Sequence, residues 1–141
     1  MKLFVTSLAV LAALCLHIEA KTFTRCGLVN ELKKQNFPKN ILRDWVCVIE
    51  AVSSRRTDAI GPRKTDGSRD HGLFQISDRF FCSSSSRPGK TCHVTCADLR
   101  TDDITKAANC AKSIYKDHGF NTWSVWKNSC KGKPLPDISR C

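Results

Sequence analysis

Apolar residues recur at helical spacing in the first part of the chain. In "CGLVNELKKQNF", Leu28, Val29 and Leu32 fall on one face of a helix before Pro38 interrupts the pattern. A second stretch of the same spacing runs from about residue 41 to residue 52. The pattern therefore predicts two helices, each with one face turned toward a core.

A third helix is predicted in "TDDITKAANCAKSIYKDHG". Thr101 is a suitable N-cap, because its hydroxyl can accept a hydrogen bond from the first turn. Asp102 and Asp103 would then lie in the first turn, where the positive end of the helix dipole favours carboxylates. Gly119 is typical of a residue that ends a helix.

The segment "RKTDGSRDHGLFQIS" predicts a hairpin rather than a helix. Asp66-Gly67 favours a tight turn, and Leu73, Phe74 and Ile76 have the composition of a strand. No linker or internal repeat separates these elements. We therefore expect an α+β domain that is mostly helical and has one small antiparallel sheet.

The first twenty residues have the composition of a secretory signal peptide. A basic residue, Lys2, precedes an apolar run over residues 3–16, and Ala20 is a small residue suited to cleavage. This run is shorter than the roughly 20 apolar residues that a membrane-spanning helix needs. We expect residues 1–20 to be removed, and residues 21–141 to be a secreted, extracellular domain without a membrane span.

The chain has nine cysteines, and removing Cys15 with the signal leaves eight. An even number in an exported chain predicts four disulfides, although spacing alone allows 105 pairings for eight cysteines. The alternative is a metal site at Cys92 and Cys96 with His93 nearby. Thiols in an oxidising compartment normally pair, so we expect disulfides and neither a metal nor another cofactor.

The formal net charge is +10. The predicted signal contains one Lys and one Glu, so its removal leaves this value unchanged. A positive field favours polyanionic partners and is weakened by salt, but it is also compatible with a soluble cationic surface that has no selected partner. The sequence has no zinc-finger spacing or aromatic RNA-binding motif, so we do not expect a nucleic-acid partner.

Three segments carry a resemblance to a known family. "WVCVIEAVSS", "TDGSRDHGLFQIS" and "CAKSIYKDHGFNTWSVWKNSC", set among these eight cysteines, resemble the C-type lysozymes, most closely those of insects. The resemblance covers residues 21–141. It implies the α+β lysozyme fold, in which a cleft separates a mostly helical lobe from a β-hairpin lobe. It also implies four disulfides, which are Cys26–Cys141, Cys47–Cys130, Cys82–Cys96 and Cys92–Cys110.

In that family two carboxylates flank the scissile sugar bond: one protonates the leaving oxygen, and the other stabilises the cationic sugar or bonds to it. The resemblance places the second carboxylate at Asp70. The first belongs five residues after the helix cysteine, and that position is Val52. An apolar pocket surrounds the acid in this family, so Val can fill the position without stranding a polar group.

Glu50 is not a simple substitute for the missing acid. It lies two residues before Val52, which at 3.6 residues per turn is a rotation of about 200° around the helix. We therefore expect Glu50 to be exposed or ion-paired on the far side. Ser53 is a poor proton donor near neutral pH. From these two positions we predict that the chain has no catalytic residue pair and is not an enzyme.

Further cleft positions follow from the resemblance. Phe keeps an apolar face for sugars but lacks the polar group of the Trp or Tyr usual at positions 80 and 81. Ser77 replaces an Asn, and His71 replaces a Tyr beside Asp70. Core packing is an alternative role for Trp123 and Trp126, and local hydrogen bonding is one for Asp70. The residues expected to bind substrate are Asp70, Gln75, Ser77, Phe80, Phe81, Asp117 and Trp123.

A calcium-binding branch of the fold carries an acidic loop. Asp102 and Asp103 resemble the start of that loop, but Lys106 and Ala107 occupy later carboxylate positions. Too few oxygen ligands remain for calcium, and Lys106 would repel the ion. We therefore expect no calcium site.

The sequence supports three hypotheses about function. The first is a secreted, monomeric, non-catalytic lysozyme-like protein of innate immunity, which binds peptidoglycan or other N-acetylated glycans and attaches to anionic bacterial surfaces. The second is a weakly active muramidase that uses Asp70 and another proton donor. The third is a structural or adhesive role in a secreted matrix.

Overall fold

The computed structural model describes residues 21–141, and the predicted signal peptide lies outside this range. Within these residues, three α-helices and one two-stranded sheet form the regular structure. The helices are α1 (Arg25–Lys34), α2 (Leu42–Ser53) and α3 (Thr105–His118), and the strands are β1 (Asp70–His71) and β2 (Ile76–Ser77). Short 3₁₀ turns cover Lys39–Ile41, Ala97–Arg100 and Gly119–Thr122, and a π-helical turn covers Trp126–Cys130. These elements confirm the predicted α+β class.

Helix α1 follows the sequence prediction closely. Thr24 caps its start, since the Thr24 hydroxyl accepts a hydrogen bond of 3.0 Å from the Gly27 amide. Leu28, Val29 and Leu32 are fully buried. Their common spacing on one helical face therefore becomes part of the core.

Helix α2 lies at the centre of the molecule. Trp45 is 1% exposed, and its ring contacts a cluster of aromatic side chains at centroid distances of 4.9–5.8 Å. The cluster consists of Phe37, Phe74, Tyr115, Phe120 and Trp123. The helix ends where Ser54 adopts a left-handed conformation with φ of 51°. These contacts join α2 to the hairpin and to the segment after α3.

The predicted start of α3 was wrong by one turn. The helix begins at Thr105, and the Asp103 carboxylate accepts a hydrogen bond of 2.9 Å from the Thr105 amide. Thr101 instead ends the preceding 3₁₀ turn. Asp102 accepts a hydrogen bond from the Lys21 amide, so a tertiary contact uses this carboxylate. The predicted end is confirmed: Gly119 follows the last helical residue with φ of 63°.

The hairpin is present, but its strands are shorter than predicted. Asp66-Gly67 lies in a tight turn closed by the Gly67 amide and the Lys64 carbonyl. Leu73 and Phe74 are not in a strand; they lie in the turn between β1 and β2 and are fully buried. The register pairs Asp70 with Ser77 and His71 with Ile76. Core packing of the turn therefore replaces the longer ladder that the apolar run indicated.

Four disulfides join all eight cysteines of residues 21–141, and they have the pairing that the resemblance implied. They are Cys26–Cys141, Cys47–Cys130, Cys82–Cys96 and Cys92–Cys110. The alternative metal site at Cys92 and Cys96 is excluded, because both sulfur atoms are in disulfides. Within residues 21–141, no helix has the length and apolar character to cross a membrane.

Two glycines with left-handed backbone allow a matched test of the hairpin. Gly72 has φ of 78°, and a Cβ atom there would lie 1.8 Å from the Leu99 carbonyl oxygen. Gly67 has φ of 83°, but a Cβ atom there would meet no atom within 4 Å. Gly67→Ala should lower the free energy of unfolding by about 1–2 kcal/mol through backbone strain alone. Gly72→Ala should lower it by about 1–3 kcal/mol more, because the backbone must move.

Urea unfolding of both variants and the wild type measures this difference. Equal losses in the two variants would contradict the close approach of Gly72 to Leu99.

Candidate functional site

Two adjoining cavities lie between the hairpin and the segment that follows α3. The larger cavity has a volume of about 670 Å³, and the smaller cavity has a volume of about 140 Å³. Lys64, Ser77 and Thr122 line both of them, so the two form one continuous cleft. This is the arrangement expected for a cleft between a helical lobe and a hairpin lobe.

The smaller cavity brings together five of the positions identified from the sequence. Val52 comes from the end of α2, Asp70 and Ser77 from the paired strands, Gln75 from the turn between them, and Trp123 from the segment after α3. Residues up to 71 positions apart in the chain therefore share one small volume. Their function as a site remains a prediction.

Asp70 is ion-paired with a residue that the sequence analysis did not identify. The Lys64 ammonium donates a hydrogen bond of 2.9 Å to the Asp70 carboxylate, whose side chain is 24% exposed. Lys64 lies six residues before Asp70, on the other arm of the Asp66-Gly67 turn. A lysine next to this turn was visible in the sequence, but only the fold of the hairpin shows that it meets Asp70.

Glu50 is on the opposite side of α2 from the cleft. Its carboxylate accepts hydrogen bonds of 3.0 and 2.8 Å from Arg25, and it lies 3.4 Å from the Arg55 guanidinium. This ion pairing confirms the expectation for Glu50. Val52, about 200° further around the helix, is half-buried and lines the smaller cavity.

The smaller cavity holds one carboxylate among the residues that line it in the described part of the chain. Asp70 can stabilise positive charge on a bound sugar. The other polar groups are the Lys64 ammonium, the Gln75 amide and hydroxyls of Ser77, Thr122 and Ser124. These groups can bind sugar hydroxyls and amides, and Lys64 carries protons close to Asp70.

Gln75 is held rigidly in the cleft wall. Its backbone has φ of 49°, and its side-chain amide donates to the carbonyls of Ala59 and Gly72 at 3.1 and 3.0 Å. Both donor hydrogens are therefore used inside the protein. The Gln75 carbonyl oxygen is the atom of this side chain that remains to accept a hydrogen bond from a ligand.

The two tryptophans have structural roles. Trp123 is 5% exposed, and its ring nitrogen donates a hydrogen bond of 2.7 Å to the Phe74 carbonyl. Its ring packs against Trp45 and also forms part of the cavity wall. Trp126 donates to Asp44 and lies outside both cavities of the cleft. Core packing thus accounts for Trp126, whereas Trp123 serves the core and lines the cleft.

The larger cavity contains the paired phenylalanines. Phe80 is 55% exposed, whereas Phe81 is 8% exposed, so one ring offers an open apolar face and the other supports it. The Arg79 guanidinium lies 4.9 Å from the centre of the Phe80 ring. The predicted residue Asp117 is exposed on α3 and is not among the residues that line either cavity, whereas its neighbour His118 lines the larger one.

Asp78 fixes the hairpin from the face opposite the cleft. Its carboxylate accepts a hydrogen bond of 3.0 Å from the Arg69 amide and contacts His71 Nε2 at 3.1 Å. Burial raises the pKa of Asp78, but the hydrogen bonds from His71 and Arg69 and the charges of His71 and Lys90 hold it below the usual 3.8. An ionised Asp78 therefore ties β1 to the residue after β2, and this positions Asp70.

The acidic residues before α3 also make internal contacts. Asp102 accepts hydrogen bonds from the Lys21 amide and the Thr57 hydroxyl, and Asp103 accepts two from Thr105. Lys106 lies 3.6 Å from Asp98. The expectation that this loop holds no calcium remains a prediction.

The chain is similar over its whole described length to known lysozymes. Residues 21–141 match the C-type lysozyme/alpha-lactalbumin family. The protein named lysozyme from Bombyx mori is 58% identical over 93% of this chain and 94% of its own length. The lysozyme from Galleria mellonella is 55% identical over 86% of this chain and 100% of its own length. Lysozyme c-1 from Anopheles gambiae is 43% identical over 100% of this chain and 99% of its own length.

These relatives contradict the prediction that the chain is not an enzyme. Proteins 58% and 55% identical to it are named lysozyme, and a lysozyme is an enzyme that hydrolyses glycosidic bonds. The prediction relied on three positions at the end of one helix, Glu50, Val52 and Ser53, whereas the similarity extends over residues 21–141. The comparisons also confirm that the α+β fold is the lysozyme fold.

The contacts of Asp78 predict a pH-dependent contribution to stability. Because its pKa is lowered in the folded protein, ionised Asp78 stabilises the fold above the unfolded pKa, and this stabilisation is lost as pH falls through the folded pKa. Asp78→Asn should therefore lower the free energy of unfolding by about 1–3 kcal/mol near neutral pH. The difference in free energy of unfolding between the wild type and this variant should shrink below about pH 3.

Thermal unfolding followed by circular dichroism from about pH 2 to pH 7 tests this dependence. Asp117→Asn is the control, because the exposed Asp117 side chain forms no hydrogen bond or ion pair with another described residue. If Asp78→Asn lost the same amount of stability at every pH, the stabilising role of ionised Asp78 would be contradicted.

Proposed function

Because the chain belongs to the C-type lysozyme/alpha-lactalbumin family, we propose that it is a secreted antibacterial protein that binds peptidoglycan glycan strands in its cleft and hydrolyses them weakly. Relatives named lysozyme support the activity, and four disulfides support an oxidising, extracellular compartment. The observation that carries the proposal is the location of Asp70 in the smaller cavity beside Gln75 and Trp123.

Binding rests on the shape and chemistry of the cleft. The larger cavity has the volume for several sugar rings, and Phe80 offers an open aromatic face on which a ring can lie. The Gln75 carbonyl oxygen and the hydroxyl of Ser77 lie further inside. Such a site is selective for polar ligands with an apolar face, which describes N-acetylated sugars.

Charge provides a second source of affinity. The formal net charge of +10 attracts anionic bacterial surfaces and raises the rate of encounter at low ionic strength. This attraction is not specific for a sugar sequence. It brings the protein to the envelope, and the cleft then selects the glycan.

Hydrolysis requires stabilisation of a cationic sugar and a proton for the leaving oxygen. We assign the first task to the Asp70 carboxylate, which accepts a hydrogen bond of 2.9 Å from the Lys64 ammonium. Val52 lines the same cavity and has no acidic proton to donate. A positioned general acid contributes about 10²- to 10⁴-fold, so we expect a rate lower by about this factor than that of the same cleft with a carboxylic acid at position 52.

The first test concerns binding. Phe80→Ala should reduce cosedimentation of the protein with insoluble peptidoglycan about tenfold, since stacking against an aromatic ring is lost. Ile60→Ala is the matched control, because Ile60 is also an exposed apolar side chain, at 47%, but lies outside both cavities. Equal binding by both variants would contradict a role of the cleft in peptidoglycan binding.

The second test concerns hydrolysis. Release of reducing sugars from peptidoglycan should be low in the wild type and lost in Asp70→Asn. Val52→Glu should increase the rate by about 10²- to 10⁴-fold at mildly acidic pH, because it supplies a carboxylic acid in an apolar environment. Val52→Gln is the control, since it has nearly the same shape as Glu but no acidic proton.

Three results would contradict hydrolysis that depends on Asp70. These are no sugar release by the wild type, release that survives in Asp70→Asn, or an equal gain in Val52→Glu and Val52→Gln. Failure of the protein to bind peptidoglycan at low salt would contradict the binding part. If the protein neither binds nor hydrolyses peptidoglycan, a structural role in a secreted matrix is the hypothesis that remains.

A further inference from the structure

A separate cavity lies on the face of the hairpin opposite the cleft. Its volume is about 310 Å³, and it shares no lining residue with either cavity of the cleft. Alternation of side chains along an extended segment explains the separation. Asp70 faces the cleft, whereas its neighbours Arg69 and His71 line the far cavity.

Three arginines converge on this far cavity. Arg69 and His71 come from the hairpin, Arg63 from the preceding arm, and Arg100 from the 3₁₀ turn at Ala97–Arg100. Among residues 21–141, no carboxylate lies within 4.0 Å of the guanidinium group of Arg63, Arg69 or Arg100. Three like charges therefore share one concave surface without ion-pair partners.

Arg69 has a buried donor that no described residue satisfies. It is half-buried, and its Nε atom is buried without a hydrogen-bond acceptor among the described residues. Arg63 and Arg100 each donate one hydrogen bond to a backbone carbonyl, those of Gly67 and Cys96. Each guanidinium carries five N–H donors, so all three retain donors for a ligand.

The carboxylate and the two cysteines near the arginines already have partners. Among the described residues, Asp78 is the one carboxylate that lines the cavity, and it accepts a hydrogen bond from the Arg69 amide and contacts His71. A nitrogen of His71 lies within 4.8 Å of the sulfur atoms of Cys82 and Cys96, but those sulfurs form a disulfide. The cavity therefore offers cationic donors and not a set of metal ligands.

We propose that this far cavity binds a phosphate group. A guanidinium presents paired N–H donors that match two oxygens of a phosphate, and charge-assisted hydrogen bonds of this kind are strong. The exposed hydroxyl of Ser84 lines the same cavity and supplies another donor. The positive charge of three arginines exceeds the negative charge of Asp78, so an anion lowers the repulsion among them.

The phosphate group can come from two sources. It can be free inorganic phosphate, or it can belong to a phosphodiester polymer in a bacterial wall. In the second case, the site would hold the wall polymer while the opposite face holds the glycan. The chemistry at the arginines is the same, and a competition experiment distinguishes the two sources.

Calorimetric titration of residues 21–141 with inorganic phosphate at low salt tests the proposal. We expect saturable binding at one site. Arg69→Gln and Arg100→Gln should each weaken the affinity about tenfold or more, because each removes a charge-assisted contact. Arg140→Gln is the control: it removes the same charge from an exposed arginine that is outside the cavity and without an ion pair among the described residues.

The proposal would be overturned if the wild type showed no saturable binding of phosphate. It would also be overturned if the control Arg140→Gln lost as much phosphate affinity as Arg69→Gln and Arg100→Gln. Arg63→Gln replaces Arg69→Gln if that variant does not fold, because Arg63 is exposed. Purified wall teichoic acid is then added as competitor. Displacement of phosphate assigns the site to the polymer, and absence of displacement assigns it to the free anion. Because the far cavity is separate from the cleft, this result is independent of whether peptidoglycan is hydrolysed.

Discussion

The cleft depends on one constraint, which is that α2 is held in a fixed orientation about its own axis. Trp45 is packed among five aromatic rings, and Cys47 is bonded to Cys130 in the π-helical turn. A helix held at two positions on different sides of the same turn can neither rotate nor slip without breaking these contacts. The side chains near its end therefore have fixed directions: Val52 lines the cleft, and Glu50 meets Arg25.

The hairpin extends the same principle to a second element. Its short strands carry few ladder hydrogen bonds, so side-chain contacts hold the register from both faces. Asp78 binds the backbone of Arg69 on the far face, and buried Phe74 in the turn packs against Trp45. Alternation along the strand then presents Asp70 to the cleft and Arg69 to the far cavity. One element of about ten residues thus serves two surfaces of different chemistry.

Local signals in the sequence were reliable where one interaction dominates. The apolar face of α1 was confirmed because residue spacing alone determines it. The end of α3 at Gly119 was confirmed because the backbone preference of glycine determines it. The predicted start of α3 was wrong because Asp102 makes tertiary contacts with Lys21 and Thr57, and Asp103, in place of Thr101, accepts the hydrogen bond from the first residue of the helix. The assignment of Leu73 and Phe74 to a strand was wrong because burial of these side chains in the core outweighs their β propensity. The absence of enzyme activity was inferred from positions 50, 52 and 53 alone, and relatives similar over most of the chain contradict it.

The sequence by itself determined the helical faces, the even number of cysteines, the positive charge and, through resemblance, the disulfide pairing and the position of Asp70. These features follow from periodicity, composition and motif, all of which are local or countable. Only the tertiary structure decided that Lys64 pairs with Asp70, that Asp117 lies away from the cleft cavities and that three arginines meet on one surface. Such contacts depend on how chain segments distant in sequence pack, and packing is set by the core as a whole.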